Sequence, residues 1–150
     1  THDVSEAKMT IAGVPDKPGV AAQVFRSLAD RDINVDLIVQ NVSDHGVTDI
    51  SFTIPHDDIP HVEEVTNQIV KQLQAQGVSV DPEIARVSVI GAGMRTNPGV
   101  AAKMFEVLAE KEINIAMIST SAIRISCVVQ ESRAEDAVKA LHEAFELSAS

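Results

Sequence analysis

The sequence predicts an α+β chain built from two copies of one βαββαβ unit, each with an antiparallel sheet and both helices on one face. Three observations carry this: a long internal repeat, apolar residues that alternate with period two in some segments and at helical spacing in others, and a Pro-Gly break before the first helical period of each copy. The string PGVAAQVFRSLADRDINVDLIVQ, from Pro18, recurs 80 residues later as PGVAAKMFEVLAEKEINIAMIST, from Pro98, with ten of the first twenty positions identical. Upstream, AKMTIAGV from Ala7 matches ARVSVIGA from Ala85. A period this long, seen twice, indicates a duplicated domain; a solenoid stacks several shorter units.

In the first copy, Met9 and Ile11 alternate with small or polar residues and lead into the break Val14-Pro15-Asp16-Lys17-Pro18-Gly19, a strand followed by a loop. Val20, Val24, Phe25 and Leu28 then recur at helical spacing, with Pro18 suited to a first turn, where its missing N–H costs nothing. Ile33 to Val42 is β-branched and apolar, and Ile50, Phe52 and Ile54 alternate with Ser51 and Thr53 after a turn at Asp44-His45-Gly46, so these two runs form a hairpin. Val62, Val65, Ile69 and Leu73 mark a second helix that begins near Asp57 and Asp58, before Gly77 and a short strand at Val78 to Val80.

The second copy repeats the order with a strand at Val87 to Ile90, a helix at Val100 to Lys111, and hairpin strands near Ile113 to Ser119 and Ile123 to Val129. Its last helix follows Ser132, which stands at capping-box spacing from Glu135, and carries the stripe Ala134, Val138, Leu141 and Phe145. A sixth element is missing from this copy. The expected domains are residues 1–82 and 83–150, with N-terminal or exchanged segments completing the second sheet. Split βαβ units of this ferredoxin-like kind leave one sheet face uncovered, and units of this size bury only ~60% of their surface alone. Sheet pairing and a homodimer are therefore expected to complete each core.

Composition excludes several function classes. The net charge is −10, there is no Trp or Tyr, and Phe25 and Phe105 fall on helical periods, which leaves the sheet no stacking surface, so no nucleic-acid partner is expected. No apolar run reaches membrane-spanning length and THDVSEAK lacks a secretory apolar stretch, which predicts a cytoplasmic chain with no membrane partner. The single Cys127 sits in the apolar run IRISCVV and reads as a buried strand residue. His56 and His61 flank Asp57 and Asp58, but PHDDIPH reads as a polar loop before a helix and has no zinc-type spacing, so no metal and no cofactor are expected. G-x-S-x-G, Walker and G-x-G-x-x-G motifs are absent, and Gly91-Ala92-Gly93 lacks the third glycine of a dinucleotide loop. Glu63, Glu64, Asp30 and Asp32 lie on polar helix faces, so no catalytic constellation remains.

What remains is the pair of Pro-Gly helix starts. Their leading N–H groups, at the positive end of the helix dipole, suit a carboxylate. Asp16 or strand carbonyls could accept from an ammonium group, and Gly19, Ala21, Gly99 and Ala101 allow close approach to the backbone. A Pro-Gly pair also starts helices with no ligand, and Asn34 and Asn114 also serve as helix-to-strand turn residues, so both readings stay open.

The strings SEAKMTIAGVPDKPGVAAQVF, INVDLIVQNVS, TDISFT, VSVIGAGMRTNPGVAAKMF, INIAMISTSAIRIS and ALHEAFEL closely resemble the tandem ACT domains at the C-terminal end of aspartate kinases. The match covers nearly the whole chain and nothing resembles the kinase domain, which implies a separate regulatory subunit or an excised regulatory region. The resemblance implies feedback control by threonine, lysine or both, in a homodimer that partners an aspartate kinase catalytic domain or subunit. It places threonine between chains, with Asp16, Gly19, Ala21 and Gln40 of one chain and Asn114 and Ile115 of the other. The lysine-type site would use Met94, Asn97, Gly99, Val100 and Ala101 opposite Asn34, Val35 and Asp36. One departure is Ala122, where the family usually has an acidic residue. Two alternatives remain: a ligand-independent module that holds kinase subunits together, and a small hydrolase of the same fold, for which Arg95 is the one nearby anion-binding candidate.

Overall fold

The computed structural model describes residues 2–41, 45–90, 99–120 and 124–149. The chain forms two compact units, one of Glu6–Pro82 and one of Glu83–Ser150 together with Thr1–Ser5. In chain order the elements are β1 (His2–Pro15), α1 (Val20–Asp30), β2 (Ile38–Gln40), β3 (Val47–Pro55), α2 (Ile59–Leu73), β4 (Gly77–Ile90), α3 (Gly99–Glu110), β5 (Met117–Thr120), β6 (Arg124–Gln130) and α4 (Ala134–Ala149).

In the first unit the strands lie in the order β2-β3-β1-β4. β1 and β3 run antiparallel, with Met9 opposite Phe52 and Ile11 opposite Ile50. Residues directly opposite one another project to the same face, so Ala7, Met9, Ile11, Ile50, Phe52 and Ile54 form one apolar surface. Val24 and Leu28 of α1 and Val62, Val65 and Ile69 of α2 close over it as a single core. Phe25 meets Phe52 edge to face, with ring centroids 5.8 Å apart and planes at 75°. On the other face the hydroxyls of Thr10 and Ser51 lie 2.9 Å apart.

The second unit repeats this pattern. Val87 faces Cys127 and Val89 faces Ile125 across β4 and β6, under Met104 and Leu108 of α3 and Ala137 and Leu141 of α4. Ser88 and Ser126, 2.8 Å apart on the opposite face, reproduce the Thr10–Ser51 pair. Among the described residues, the strand next to β4 on its other side is β1, whose first residues group with this unit. The start of β1 thus holds the place that β4 holds in the first unit, where the repeat lacks its sixth element.

Three expectations need correction. The strand expected from Ile33 to Val42 is ordered as β2 only over Ile38–Gln40, because Ile33 still belongs to the end of α1 and Asp36 and Leu37 are engaged with one residue of β3. Asp36 N–H donates to the Thr53 carbonyl at 3.0 Å, and Leu37 N–H donates to Thr53 Oγ1 at 3.0 Å. The separate strands at Val78 to Val80 and Val87 to Ile90 are one strand, Gly77–Ile90. The exposed Pro82 does not interrupt it, since proline lacks only a ladder donor and is tolerated where that donor has no ladder partner. Ser132 lies inside a 3₁₀ turn, Glu131–Arg133, rather than at the boundary of α4, so the capping-box reading does not describe that junction. Asp44, Gly91 to Pro98 and Ala122 lie outside the described residues. Among the described residues no helix is long and apolar enough to cross a membrane.

Cys127 is fully buried on β6, and burial pushes its thiol up to about 11. The native chain keeps a proton that the unfolded chain releases above its ordinary value of 9.0. Stability should therefore be insensitive to this group below about pH 9 and fall as pH rises from there towards about 11. Thiol titration near neutral pH is expected to detect no reactive group in the native protein and one after denaturation; rapid native labelling would contradict this burial.

Candidate functional site

The geometry at the start of α1 begins inside β1. The β1–β3 register shifts between Ile11 and Val14, where Gly13 takes φ 68. A Cβ at this position would press against the Gln76 side chain, and the left-handed backbone angle by itself favours glycine. Gly13 N–H donates to Asp49 Oδ1 at 3.0 Å, and Gln76 N–H donates to the Ala12 carbonyl at 2.9 Å. Beyond the bulge, Asp16 N–H donates to the Gly46 carbonyl at 3.0 Å, in a turn where His45 and Gly46 have φ of 56 and 80.

Gly19, at φ 90, is the N-cap of α1, which has neither a side-chain cap nor an acidic residue in its first turn. The first full-turn bond runs from Gln23 N–H to the Gly19 carbonyl at 3.0 Å, and Val20 N–H reaches the Lys17 carbonyl at 3.3 Å. The amides of Ala21 and Ala22 precede that first bond and carry the positive end of the helix dipole. Asp16, Lys17, Pro18 and Gly19 are exposed and Ala21 is half-buried.

Gln40 pairs with Ile50, which in turn pairs with Ile11. It therefore lies on the helix-covered face of the sheet, in the last regular row of β1 before the bulge, and is exposed because β2 is the edge strand. In the second unit Thr120 pairs with Ile125 on the same face and is also exposed.

The other end of α1 is closed by its own backbone. Asp32 N–H donates to the Ala29 carbonyl at 3.0 Å and Ile33 N–H to the Leu28 carbonyl at 3.1 Å, with Asp32 at φ 58 and Leu28 and Ile33 both buried. This is a Schellman motif with its apolar contact. α3 ends in the same way: Glu112 N–H to Ala109 at 3.0 Å, Ile113 N–H to Leu108 at 2.9 Å, and Glu112 at φ 56. The anchored Ile33 and Ile113 put the following asparagine in solvent, so Asn34 and Asn114 are exposed, Val35 and Ile115 are half-buried, and Asp36 is exposed. Both shoulders are braced: His61 Nε2 of α2 lies 3.2 Å from the Arg31 carbonyl, and Arg133, in the 3₁₀ turn before α4, donates to the Lys111 carbonyl at 2.9 Å.

Asp16, Gly19, Ala21 and Gln40 thus lie towards the start of α1, whereas Asn34, Val35 and Asp36 follow its end. Eleven helical residues separate these sets, about 16 Å at 1.5 Å per residue, much more than a free amino acid spans. In the second unit, Gly99 is exposed and Val100 and Ala101 half-buried at the start of α3, while Asn114 and Ile115 follow its end. Met94 and Asn97, like Arg95, lie outside the described residues. Sequence reasoning placed Gly46 in a turn but missed Gly13 and Asp49; a polar residue leading the alternating run of β3 was the available signal for Asp49. Among the described residues no group of three or more His, Cys, Asp or Glu could hold a metal ion.

ACT-domain family models match residues 8–74 and 87–145. An aspartokinase of Corynebacterium efficiens is 47% identical over 147 residues, 97% of this chain and 35% of that protein; the chain thus spans about a third of such curated relatives. The solved structure of aspartokinase alpha and beta subunits superposes with a TM-score of 0.91 at 43% identity, covering 97% of this chain and 96% of that one. The regulatory subunit of aspartate kinase from Thermus flavus gives 0.89 at 37%, covering 97% and 95%.

An aspartate or glutamate in the left-handed region carries a steric cost that glycine does not. Asp32→Gly and Glu112→Gly are each expected to raise stability by about 1 kcal/mol in urea unfolding, without altering the helical circular dichroism. A loss of stability in both would contradict the Schellman geometry.

Proposed function

The chain belongs to the tandem ACT-domain regulatory regions of aspartokinases, and on that premise we propose that it is an amino-acid sensor whose occupancy favours the inhibited state of an aspartate kinase catalytic domain or subunit. Threonine is the effector of the first site, formed by Asp16, Gly19, Ala21 and Gln40 of one protomer and Asn114 and Ile115 of another in a cytoplasmic homodimer. Lysine is the effector of the second, formed by Met94, Asn97, Gly99, Val100 and Ala101 with Asn34, Val35 and Asp36. The observation that carries this reading is the start of α1: a glycine N-cap with no side-chain cap and no acidic residue in the first turn. Such an end suits a carboxylate brought from outside the chain. The placement of Asn34 and Asn114 at the far ends of α1 and α3 supports a site shared between protomers, since one unit cannot close both halves on one small molecule.

Support for lysine comes from a more distant relative, aspartokinase III of Escherichia coli, solved in complex with lysine and aspartate. It is 26% identical over 95% of this chain, with a TM-score of 0.68. Each bound effector shifts the catalytic equilibrium only by its differential affinity for the two states, on the order of 1–3 kcal/mol.

A second reading, a ligand-independent assembly module, draws on the edge strands. Ile38 on β2 is 54% exposed and Ile118 on β5 is 46% exposed, at matching places in the two copies, which suits a permanent protein contact. Calorimetric titration with threonine, lysine and both separates the two readings. The sensor reading expects saturable heat, and expects Gln40→Ala to weaken threonine binding about tenfold through the loss of one side-chain hydrogen bond. No heat with any amino acid, together with an unchanged dimer mass, would favour the assembly module.

A further inference from the structure

We infer that Asp49 is a positioning residue for the first effector site, acting through the amide of Gly13; the inference rests on the sensor reading above. Among the described residues, three bonds outside the strand ladders tie the end of β1 and the loop after it to the rest of the first unit. Gln76 N–H to the Ala12 carbonyl and Asp16 N–H to the Gly46 carbonyl are backbone bonds. The third, from Gly13 N–H to Asp49 Oδ1, depends on a side chain. It occupies the bulge itself, where the register lost after Ile11 is resumed at Val14, opposite Thr48.

Gly13 is buried, so without the carboxylate its N–H would be a buried donor lacking this acceptor, and the chain gains by relaxing the bulge to pair that amide elsewhere. Relaxation has a direct cost at the site. A slip of one residue in β1 turns Val14 out of the core and re-aims Pro15 to Gly19, and with them the amides of Ala21 and Ala22. Asp49 is half-buried on β3, beside Ile50, whose partner row ends in Gln40. One strand therefore holds both the clamp on the loop and the row that carries the site's amide side chain.

The second repeat has no carboxylate at the aligned position. Ile125 faces Val89 as Ile50 faces Ile11, so the residue aligned with Asp49 is Arg124, whose guanidinium only donates. Nine positions also separate Ile90 from Gly99, against seven from Ala12 to Gly19. A change at Asp49 should therefore act on one site and leave the other.

The test measures threonine binding to the full chain by calorimetry, with amide chemical shifts by heteronuclear NMR. Asp49→Ala is expected to weaken threonine binding about tenfold and to move the amide resonances of Gly13, Ala21 and Ala22 while those of α4 stay in place. Asp49→Asn, which keeps an Oδ1 acceptor, should restore affinity to within about threefold. Asp49→Arg, which copies a residue the second unit accommodates at the aligned position, should behave like Asp49→Ala and serves if the alanine variant does not fold. Threonine binding at wild-type strength in folded Asp49→Ala or Asp49→Arg, or an asparagine variant as weak as alanine, would overturn the inference and leave the sensor reading intact. Absence of threonine binding in the unsubstituted chain would remove the sensor reading and this inference together.

Discussion

Burial of one face of each unit's strands under two helices is the constraint from which the other features follow. Each fully buried side chain of the size of Phe52, Ile11 or Ile50 contributes on the order of 1.5–3 kcal/mol. A strand shifted by one residue would expose that whole set at once. Register is therefore strongly specified, and with it the face on which every other residue of a strand stands. Gln40 and Thr120 lie on the helix side of their sheets because they share rows with Ile50 and Ile125; their exposure follows from the edge positions of β2 and β5.

Helix α1 works as a strut with two unlike ends. Its C-terminus satisfies its own carbonyls through the Schellman turn, gains a buried Leu–Ile contact and receives a brace from α2, and α3 ends in the same way with a brace from the 3₁₀ turn before α4. The N-terminus of α1 is left without a cap of its own. A closed end is a good platform for presenting an exposed asparagine, and an open end is a good receptor for an anion. The polarity of the peptide group makes the two ends complementary rather than interchangeable.

Duplication preserved this plan and varied its details. The burial pattern of residues 31–40 recurs position for position in residues 111–120, and the serine or threonine hydroxyl pair on the open face recurs as well. The copies differ in the core, where Met9 and Phe52 stand against Val87 and Cys127, and at the rim, with Gln40 against Thr120, Asp49 against Arg124, and His61 against Arg133 as the brace. Core positions stay apolar in both copies and each unit packs around its own side-chain sizes, whereas rim positions also diverge in charge.

Much of this was legible locally. Hydrophobic period identified α1 to α4, the alternation in β3 and the duplication, and the Pro-Gly pair marked the start of α1, because these signals reside in side chains a few residues apart. The family resemblance in the sequence agrees with the ACT-domain matches and with solved aspartokinase regulatory subunits. Local pattern did not reveal that β2 is confined to Ile38–Gln40, that β4 runs unbroken through Pro82, that the opening residues of β1 group with the second unit, or that Asp49 reaches Gly13. Each of these depends on a partner many residues away, and pairing between distant strands is decided by the geometry of the assembled sheet, which no short window of sequence contains.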